Sequence, residues 1–179
     1  MTEKRIQLAE LREQIGALLS HSTQEILSSS LLPAGIPRGA LVELTGHTRV
    51  EWLLAFLREH QELRVCWLEE KFNLFPTALK QRGCNLENFL FVEAGETIFS
   101  PLRKAIRSQV FDIVVSPSLF DDVRALKTLQ LLSEKANSTL FLLAQKPMHA
   151  WQISVQLECL NDLQTRVLKF KTRHEVSTP

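Results

Sequence analysis

The residues best placed for chemistry lie in one turn, Gly46-His47-Thr48-Arg49-Val50-Glu51-Trp52, which joins the apolar run ALVELT to a helical pattern. The first strand-to-helix turn of an open α/β sheet is its usual phosphate site, because helix N–H groups point into it. Such a turn needs a second glycine, a lysine for the phosphate charge and a hydroxyl for magnesium, and none stands at the required place. The turn therefore predicts a degenerate nucleotide site around Gly46.

Three side chains of this turn set its expected chemistry. Arg49 is a candidate phosphate ligand, although a single arginine in a loop is more often a solvated charge. Glu51 stands close to where the lysine is needed, and a carboxylate there repels a triphosphate. Trp52 stands where a phosphate normally sits, so its indole is expected to plug the pocket. The pattern favours a site that has lost the ability to bind nucleotide.

A metal ion bound beside nucleotide phosphates also needs an acidic residue at the end of a buried strand. The run Asp112-Ile113-Val114-Val115 is instead followed by Ser116 and Pro117. Asp112 begins that strand, at its other end, and is expected to be a capping or surface carboxylate. Asp121 and Asp122 are expected to open the next helix, where acidic side chains suit the dipole.

The five histidines, which are scattered along the chain, show no metal-ligand spacing. We expect no metal, no cofactor and no ATPase activity. The remaining enzyme hypothesis is an ATPase with an unusual phosphate loop, in which Arg49 and Glu69 or Glu70 supply the charges.

The elements that must position these residues alternate as βαβαβαβ from ALVELTG to FDIVVS. Near-continuous apolar runs such as DIVV are typical of strands covered on both faces, as in a parallel sheet with crossover helices. A helix is expected from Phe120 to Asn137, then a buried strand STLFLLAQ. The alternating tail ISVQLECLNDLQTRVLKFKT, with a turn at Asn161 and Asp162, predicts an antiparallel hairpin. The expected fold is a mostly parallel α/β sheet with helices on both sides and this C-terminal hairpin.

The sequence divides into an N-terminal arm (residues 1–21), a linker (22–38), a core domain (39–175) and a short tail (176–179). The arm carries an apolar stripe on an otherwise charged helical pattern, anchored by Leu8, Leu11 and Ile15. It is a candidate for docking on a partner or for packing on its own domain. The linker is inferred from a segment rich in Ser, Pro and Gly.

Composition bounds the class of protein. The 179 residues, 45% of them hydrophobic and 23% charged, are typical of one globular domain. A net charge of +1 gives no global reason to expect nucleic-acid binding. The three separated cysteines fit free thiols in a cytoplasmic protein, with Cys66 and Cys159 in the core. No apolar run approaches the length of a membrane span.

Several segments, in the right order, resemble the RecA recombinase core from about Leu32 to Lys171. GIPRGALVELTG looks like the family's entry to its phosphate loop, FDIVVS like its metal-binding strand, and STLFLLAQ like the strand whose terminal glutamine, here Gln145, senses nucleotide. The closing SVQLECLNDLQTRVLKFKTRH is similar to its final hairpin. The resemblance implies a RecA-like core, but Lys71 stands at the place of the catalytic glutamate, and KPMHA is too short for the DNA-binding loop.

Two RecA-like families that lack these functions have about this size. ImuA, the accessory protein of a translesion-synthesis cassette, resembles the chain in PRGALVEL and RALKTLQLLSE, and it is the favoured family. This resemblance implies a non-catalytic adaptor in SOS DNA repair that binds RecA or a translesion polymerase. SulA, the SOS-induced inhibitor of cell division that binds FtsZ, is the alternative. Self-association is left open.

The end of the chain is locally basic. Lys169, Lys171 and Arg173 are two residues apart and would form one charged row along a strand. The row is a candidate contact for DNA phosphates. Its commoner use, and the favoured one, is to protect an edge strand from aggregation.

Overall fold

The computed structural model describes residues 25–120 and 122–171. Its centre is a seven-stranded sheet in the order β5-β4-β6-β7-β3-β8-β9. All neighbouring strands are parallel except β8 and β9, which pair antiparallel at one edge. The predicted parallel sheet with a C-terminal hairpin is therefore confirmed. The strands are β3 (Leu41–Thr45), β4 (Val65–Glu69), β5 (Phe89–Glu93), β6 (Ile113–Pro117), β7 (Thr139–Leu143), β8 (Val155–Cys159) and β9 (Thr165–Phe170).

In the described part of the chain, four α-helices cover the two faces of the sheet, so that most strands are buried on both sides. On one face, α1 (Arg49–Glu59) and α2 (Pro76–Gln81) pack on the side chains that include Val42, Leu44 and Val115. On the other face, α3 (Phe99–Arg107) and α4 (Val123–Ala136) pack on a second core. That core includes Leu41, Cys66, Leu68, Val114, Leu140 and Leu142.

Alternation along single strands explains this division. In β6, Val114 lies in one core and Val115 in the other, because successive side chains of a strand point to opposite faces. A run such as DIVV is apolar throughout for this reason.

The helix expected from Phe120 to Asn137 is observed as α4, which is shorter at both ends. Its N-cap is Asp122, whose carboxylate accepts a hydrogen bond from the Arg124 N–H at 2.9 Å. Asn137 ends it with φ of 53°, the left-handed conformation that terminates many helices. The prediction that Asp122 opens this helix is confirmed.

The segment predicted as a linker differs in the structure. Residues 26–37 form an antiparallel hairpin of β1 (Ile26–Ser29) and β2 (Leu32–Pro37). Leu27, Leu32 and Ile36 are buried in the same core as α1. Because these side chains remove apolar surface from water, the hairpin is part of the domain rather than an open connector.

Some sequence predictions lie outside the described residues. The arm with Leu8, Leu11 and Ile15, the first residues of the linker, Asp121, Arg173 and the tail belong to this group. Within the ranges that the structure does describe, no helix has the length and apolar character to cross a bilayer.

Asp112 is a structural carboxylate, consistent with its expected place before β6. It accepts hydrogen bonds from the Arg64 N–H at 2.9 Å and from Arg38 Nη1 at 3.2 Å. Burial opposes its ionisation, but the Arg64 N–H and the Arg38 guanidinium outweigh burial and lower the pKa of Asp112. The ion pair ties the entry to β3 to the start of β6.

All three cysteines are buried and free. Burial raises the pKa of the Cys66 thiol to about 11 and that of Cys159 to about 12. Cys66 lies in the core under α3 and α4, whereas Cys159 lies in the core under α1. The expected core positions of both are confirmed.

Candidate functional site

The Gly46 turn lies between the carboxyl end of β3 and the first turn of α1, where a phosphate site is expected. Gly46 has φ of +91°, and a Cβ at this position would collide with the Cys159 carbonyl oxygen of β8. Only glycine allows so close an approach of two backbones. The turn therefore lies directly against the end of β8.

Two polar side chains of the turn, those of Thr48 and Arg49, form hydrogen bonds within the protein. The Thr48 hydroxyl donates to the Leu160 carbonyl at 2.6 Å, and Arg49 Nη1 donates to the Gly46 carbonyl at 2.8 Å. Arg49 is half-buried rather than solvated. Its guanidinium, the candidate phosphate ligand, stabilises the turn from inside.

Glu51 and Trp52 point away from the turn in different directions. Glu51 is exposed and lies 3.9 Å from the Arg82 guanidinium of α2. Trp52 is completely buried, stacks on Phe56, and donates its indole N–H to the Thr165 hydroxyl at 3.0 Å. The expected plug is therefore absent, because helical spacing places Trp52 on the inner side of α1 with Phe56.

A cavity of about 370 Å³ lies beside the turn, between Gly46 and the β8–β9 connection. Glu158 and Asp162 lie in its lining with His47. Glu158 is paired with Arg166 Nη1 at 3.0 Å, and the Asp162 carboxylate disfavours an anion in the cavity. Its remaining lining residues are Cys159, Leu160, Asn161 and Gln164.

A second cavity, of about 230 Å³, lies at the carboxyl ends of β4, β6 and β7. Glu69, Glu70 and Lys71 line it, but it shares no lining residue with the cavity beside Gly46. Both carboxylate oxygens of Glu69 are engaged, by the Trp67 indole N–H at 3.1 Å and the Asn73 N–H at 2.7 Å. Arg49, the cation that an unusual ATPase would need, lines neither cavity, so it is not brought together with Glu69 and Glu70.

Ser116 and Gln145 take no part in either cavity lining. The Ser116 hydroxyl is buried near the end of β6 and donates to the Pro117 carbonyl at 3.0 Å. Gln145 is exposed two residues beyond β7. Among the described residues, no three His, Cys, Asp or Glu side chains gather as a metal site.

The structure reveals a polar row that the sequence predictions miss. Glu43 lies fully buried in the middle of β3, beside Gln156 of β8 and close to Lys169 of β9. Gln156 Nε2 donates to Glu43 Oε2 at 2.7 Å, and the Met148 N–H donates to the same carboxylate at 3.1 Å. Burial raises the pKa of Glu43, although these two hydrogen bonds oppose the rise.

This polar row holds the connection from β7 to β8, residues 144–154, across one face of the sheet. Lys169 Nζ donates to the Ala150 carbonyl at 2.7 Å, and Lys171 Nζ donates to the Trp151 carbonyl at 2.8 Å. The predicted basic strand thus directs two of its lysines to the loop. A lone carboxylate inside the apolar run ALVELT is the sequence signal that could have indicated a buried partner for Glu43.

The similarity of this chain to known proteins lies in its structure. No protein-family model and no curated protein sequence matches the chain. Among the solved structures that match is the crystal structure of SulA from Pseudomonas aeruginosa, with 19% sequence identity and a TM-score of 0.52. The match covers 59% of this chain and 98% of the SulA chain. The two chains share a fold over that region.

Proposed function

We propose that the chain acts by binding other proteins and does not hydrolyse nucleotide. The observation that carries the proposal is the closure of the Gly46 turn by the protein's own atoms. A phosphate cradle needs room for the anion against the backbone of this turn and a cation directed at it. Here the Gly46 backbone meets the Cys159 carbonyl, and the Arg49 guanidinium is bound to the Gly46 carbonyl.

The core is proposed to be of RecA type with its nucleotide chemistry lost. The parallel sheet, the C-terminal hairpin and the place of Ser116 near the end of a buried central strand support this reading. Ser116 stands where a metal-binding acid is required, and Asp162 places a carboxylate in the cavity beside the turn. Each of these features disfavours a triphosphate.

Among protein-binding roles we favour a SulA-like one, inhibition of cell division through FtsZ. The shared fold with SulA over almost the whole SulA chain supports this choice. The two stretches that resemble ImuA, PRGALVEL and RALKTLQLLSE, have a packing explanation instead. Gly39 approaches the backbone of Ser133 and Glu134, and Leu41 shares a core with Leu126.

The first experiment is calorimetric titration of the full chain with ATP and magnesium, with purified RecA as the positive control for nucleotide binding. We expect no heat of binding. Clear nucleotide binding would reject the closed-turn interpretation. A double variant, Glu158→Gln with Asp162→Asn, sharpens this test, because binding gained by neutralising the cavity would make charge, rather than closure, the barrier.

The second experiment identifies the partner. Immobilised chain is offered purified FtsZ and purified RecA separately, and cell length is measured on overexpression. Capture of FtsZ with filamentous cells is expected. Capture of RecA alone, with cells of normal length, would favour an ImuA-like adaptor instead.

A further inference from the structure

Trp151 lies at the surface in the connection from β7 to β8, with 56% of the residue exposed. Val123 at the start of α4 is exposed to the same fraction, and the Gln152 side chain joins the two segments by donating to the Val123 carbonyl at 3.4 Å. A tryptophan is among the residues that contribute most when buried in an interface. We call Val123, Lys127, Trp151, Lys169 and Lys171 the Trp151 platform.

The platform is held in place before any partner arrives. Lys171 Nζ binds the Trp151 carbonyl, Lys169 Nζ binds the preceding carbonyl, and Glu43 binds the Met148 N–H from below. The two residues that follow Trp151 in the chain, Gln152 and Ile153, are buried and anchor the loop. Binding that uses such a fixed loop loses little conformational entropy.

Two lysines lie beside the ring of this tryptophan, and a third, Lys169, binds the preceding carbonyl. Lys127 Nζ lies 4.5 Å from the indole centroid and Lys171 Nζ lies 5.7 Å from it. Burial and the neighbouring Lys171 charge lower the pKa of Lys169. Within residues 25–120 and 122–171, none of the three forms a salt bridge with a carboxylate within 4.0 Å.

The positive charge of the Trp151 platform indicates which groups of a partner would complement it. Lys169 has the buried Glu43 carboxylate near it, whereas the half-buried Lys127 and Lys171 place their ammonium groups beside the exposed Trp151 ring and donate to uncharged oxygens. A carboxylate brought to this surface would relieve the repulsion among the lysines and gain charge-assisted hydrogen bonds. An apolar side chain would at the same time cover Trp151 and Val123.

We propose that the Trp151 platform is a docking surface for an acidic segment of a partner protein, with an apolar side chain seated on Trp151 and carboxylates at Lys127 and Lys171. The inference rests on the proposed protein-binding function and assigns it a surface. Protein is favoured over single-stranded nucleic acid because the net charge of +1 lacks the basic excess of a nucleic-acid binder.

The test uses a fluorescent peptide of alternating glutamate and leucine, with binding to the full chain followed by anisotropy. We expect Trp151→Ala and Lys127→Glu each to lower its affinity by about tenfold. The matched controls are Leu90→Ala, an exposed apolar residue of β5, and Lys80→Glu, an exposed lysine of α2. The controls should bind as the original chain does, and added salt should weaken binding.

Three results would overturn the inference. The first is equal peptide binding by Trp151→Ala and Leu90→Ala, at equal thermal stability. The second is equal binding of a lysine–leucine peptide, which would mean apolar adhesion alone. The third is tighter binding of oligothymidine than of the acidic peptide with the same dependence on Lys127, which would make the platform a nucleic-acid site. FtsZ capture, measured separately, decides the proposed function whatever the peptide result.

Discussion

The two connections that leave the central strands β3 and β7 cover the sheet in different ways. The connection after β3 begins with the Gly46 turn and continues as helix α1, whose inner side chains Trp52 and Phe56 meet an apolar face. The connection after β7 crosses to β8 without a helix of its own. Beneath it the sheet carries the polar row of Glu43, Gln156 and Lys169.

The difference follows from backbone hydrogen bonding. A helix satisfies its own interior N–H and C=O groups, so the strands beneath it can be apolar. A loop does not, so buried side chains must supply the partners, as Glu43 does for the Met148 N–H. The polar groups of the Gly46 turn are therefore bound within the protein, whereas the loop connection presents the Trp151 ring at the surface.

The largest expected effect tests the closed turn. Gly46→Ala should lower the free energy of unfolding by about 3 kcal/mol or more, because it adds a steric collision to an unfavourable positive φ. Gly95→Ala is the matched control, with φ of +62° but no atom within 4 Å, and should cost about 1 to 2 kcal/mol. Urea denaturation measures both. Equal losses would mean that the turn is not pressed against β8.

The next effect tests the polar row beneath the loop. Glu43→Ala should cost about 2 kcal/mol, because it leaves the Met148 N–H without its carboxylate acceptor and removes one of the two acceptors of the Gln156 amide. Glu43→Gln keeps an acceptor oxygen and should cost less. If both variants unfold at the same urea concentration as the original chain, the loop does not depend on Glu43.

The same pair of proteins gives a pH test. Since the pKa of Glu43 is raised above its ordinary 4.5, the folded chain holds this proton more tightly than the unfolded chain. Its contribution to stability is greatest below pH 4.5 and is lost as pH rises through the raised folded pKa. The original chain should therefore lose stability relative to Glu43→Gln as pH increases above 4.5. Parallel stability curves would contradict the burial of the carboxylate.

A smaller effect concerns the second contact of the turn. Thr48→Ala removes the hydroxyl that donates to the Leu160 carbonyl and should cost about 1 kcal/mol. The exposed Thr77 of α2 provides the control, since Thr77→Ala should change stability little. A cost for Thr48→Ala no larger than that for Thr77→Ala would weaken the picture of a closed turn.

The smallest effect is expected at the platform. Lys127→Met should lower the free energy of unfolding by about 0.5 kcal/mol, the lower end of the range for a cation–π contact at the surface. Thermal unfolding measures the difference. A loss of about 2 kcal/mol would assign Lys127 to folding rather than to binding, and would remove the contrast between the two connections.

The sequence predicts the elements whose hydrophobic pattern is continuous. Residues Ile113–Pro117 and Val123–Ala136 follow from apolar runs and periodicity, and the C-terminal hairpin follows from alternation. The hairpin of residues 26–37 does not, because its buried Leu27, Leu32 and Ile36 are spaced among Ser, Pro and Gly. Composition there resembles a connector, and only tertiary packing makes it a part of the core.

The candidate site was predictable only where its chemistry is local. The lack of phosphate-loop residues around Gly46 is readable in seven consecutive positions. The contact that closes the turn is not, since Cys159 lies at the other end of the chain. Glu43 and Gln156 are likewise partners across 113 positions, and neither residue type alone predicts the pairing. Trp52 does not occupy the predicted plugging position, because the side chains of the turn and those of the first helical residues point in different directions.

Two of the buried thiols allow the local opening of the two sides of the sheet to be measured separately. Cys66 lies on the α3–α4 side and Cys159 on the α1 side, and neither thiol is reactive while its layer is closed. A thiol reagent labels each only when local opening brings it to solvent. The ratio of the labelling rates of Cys66 and Cys159 therefore reports which layer opens first, with no cysteine introduced into the chain.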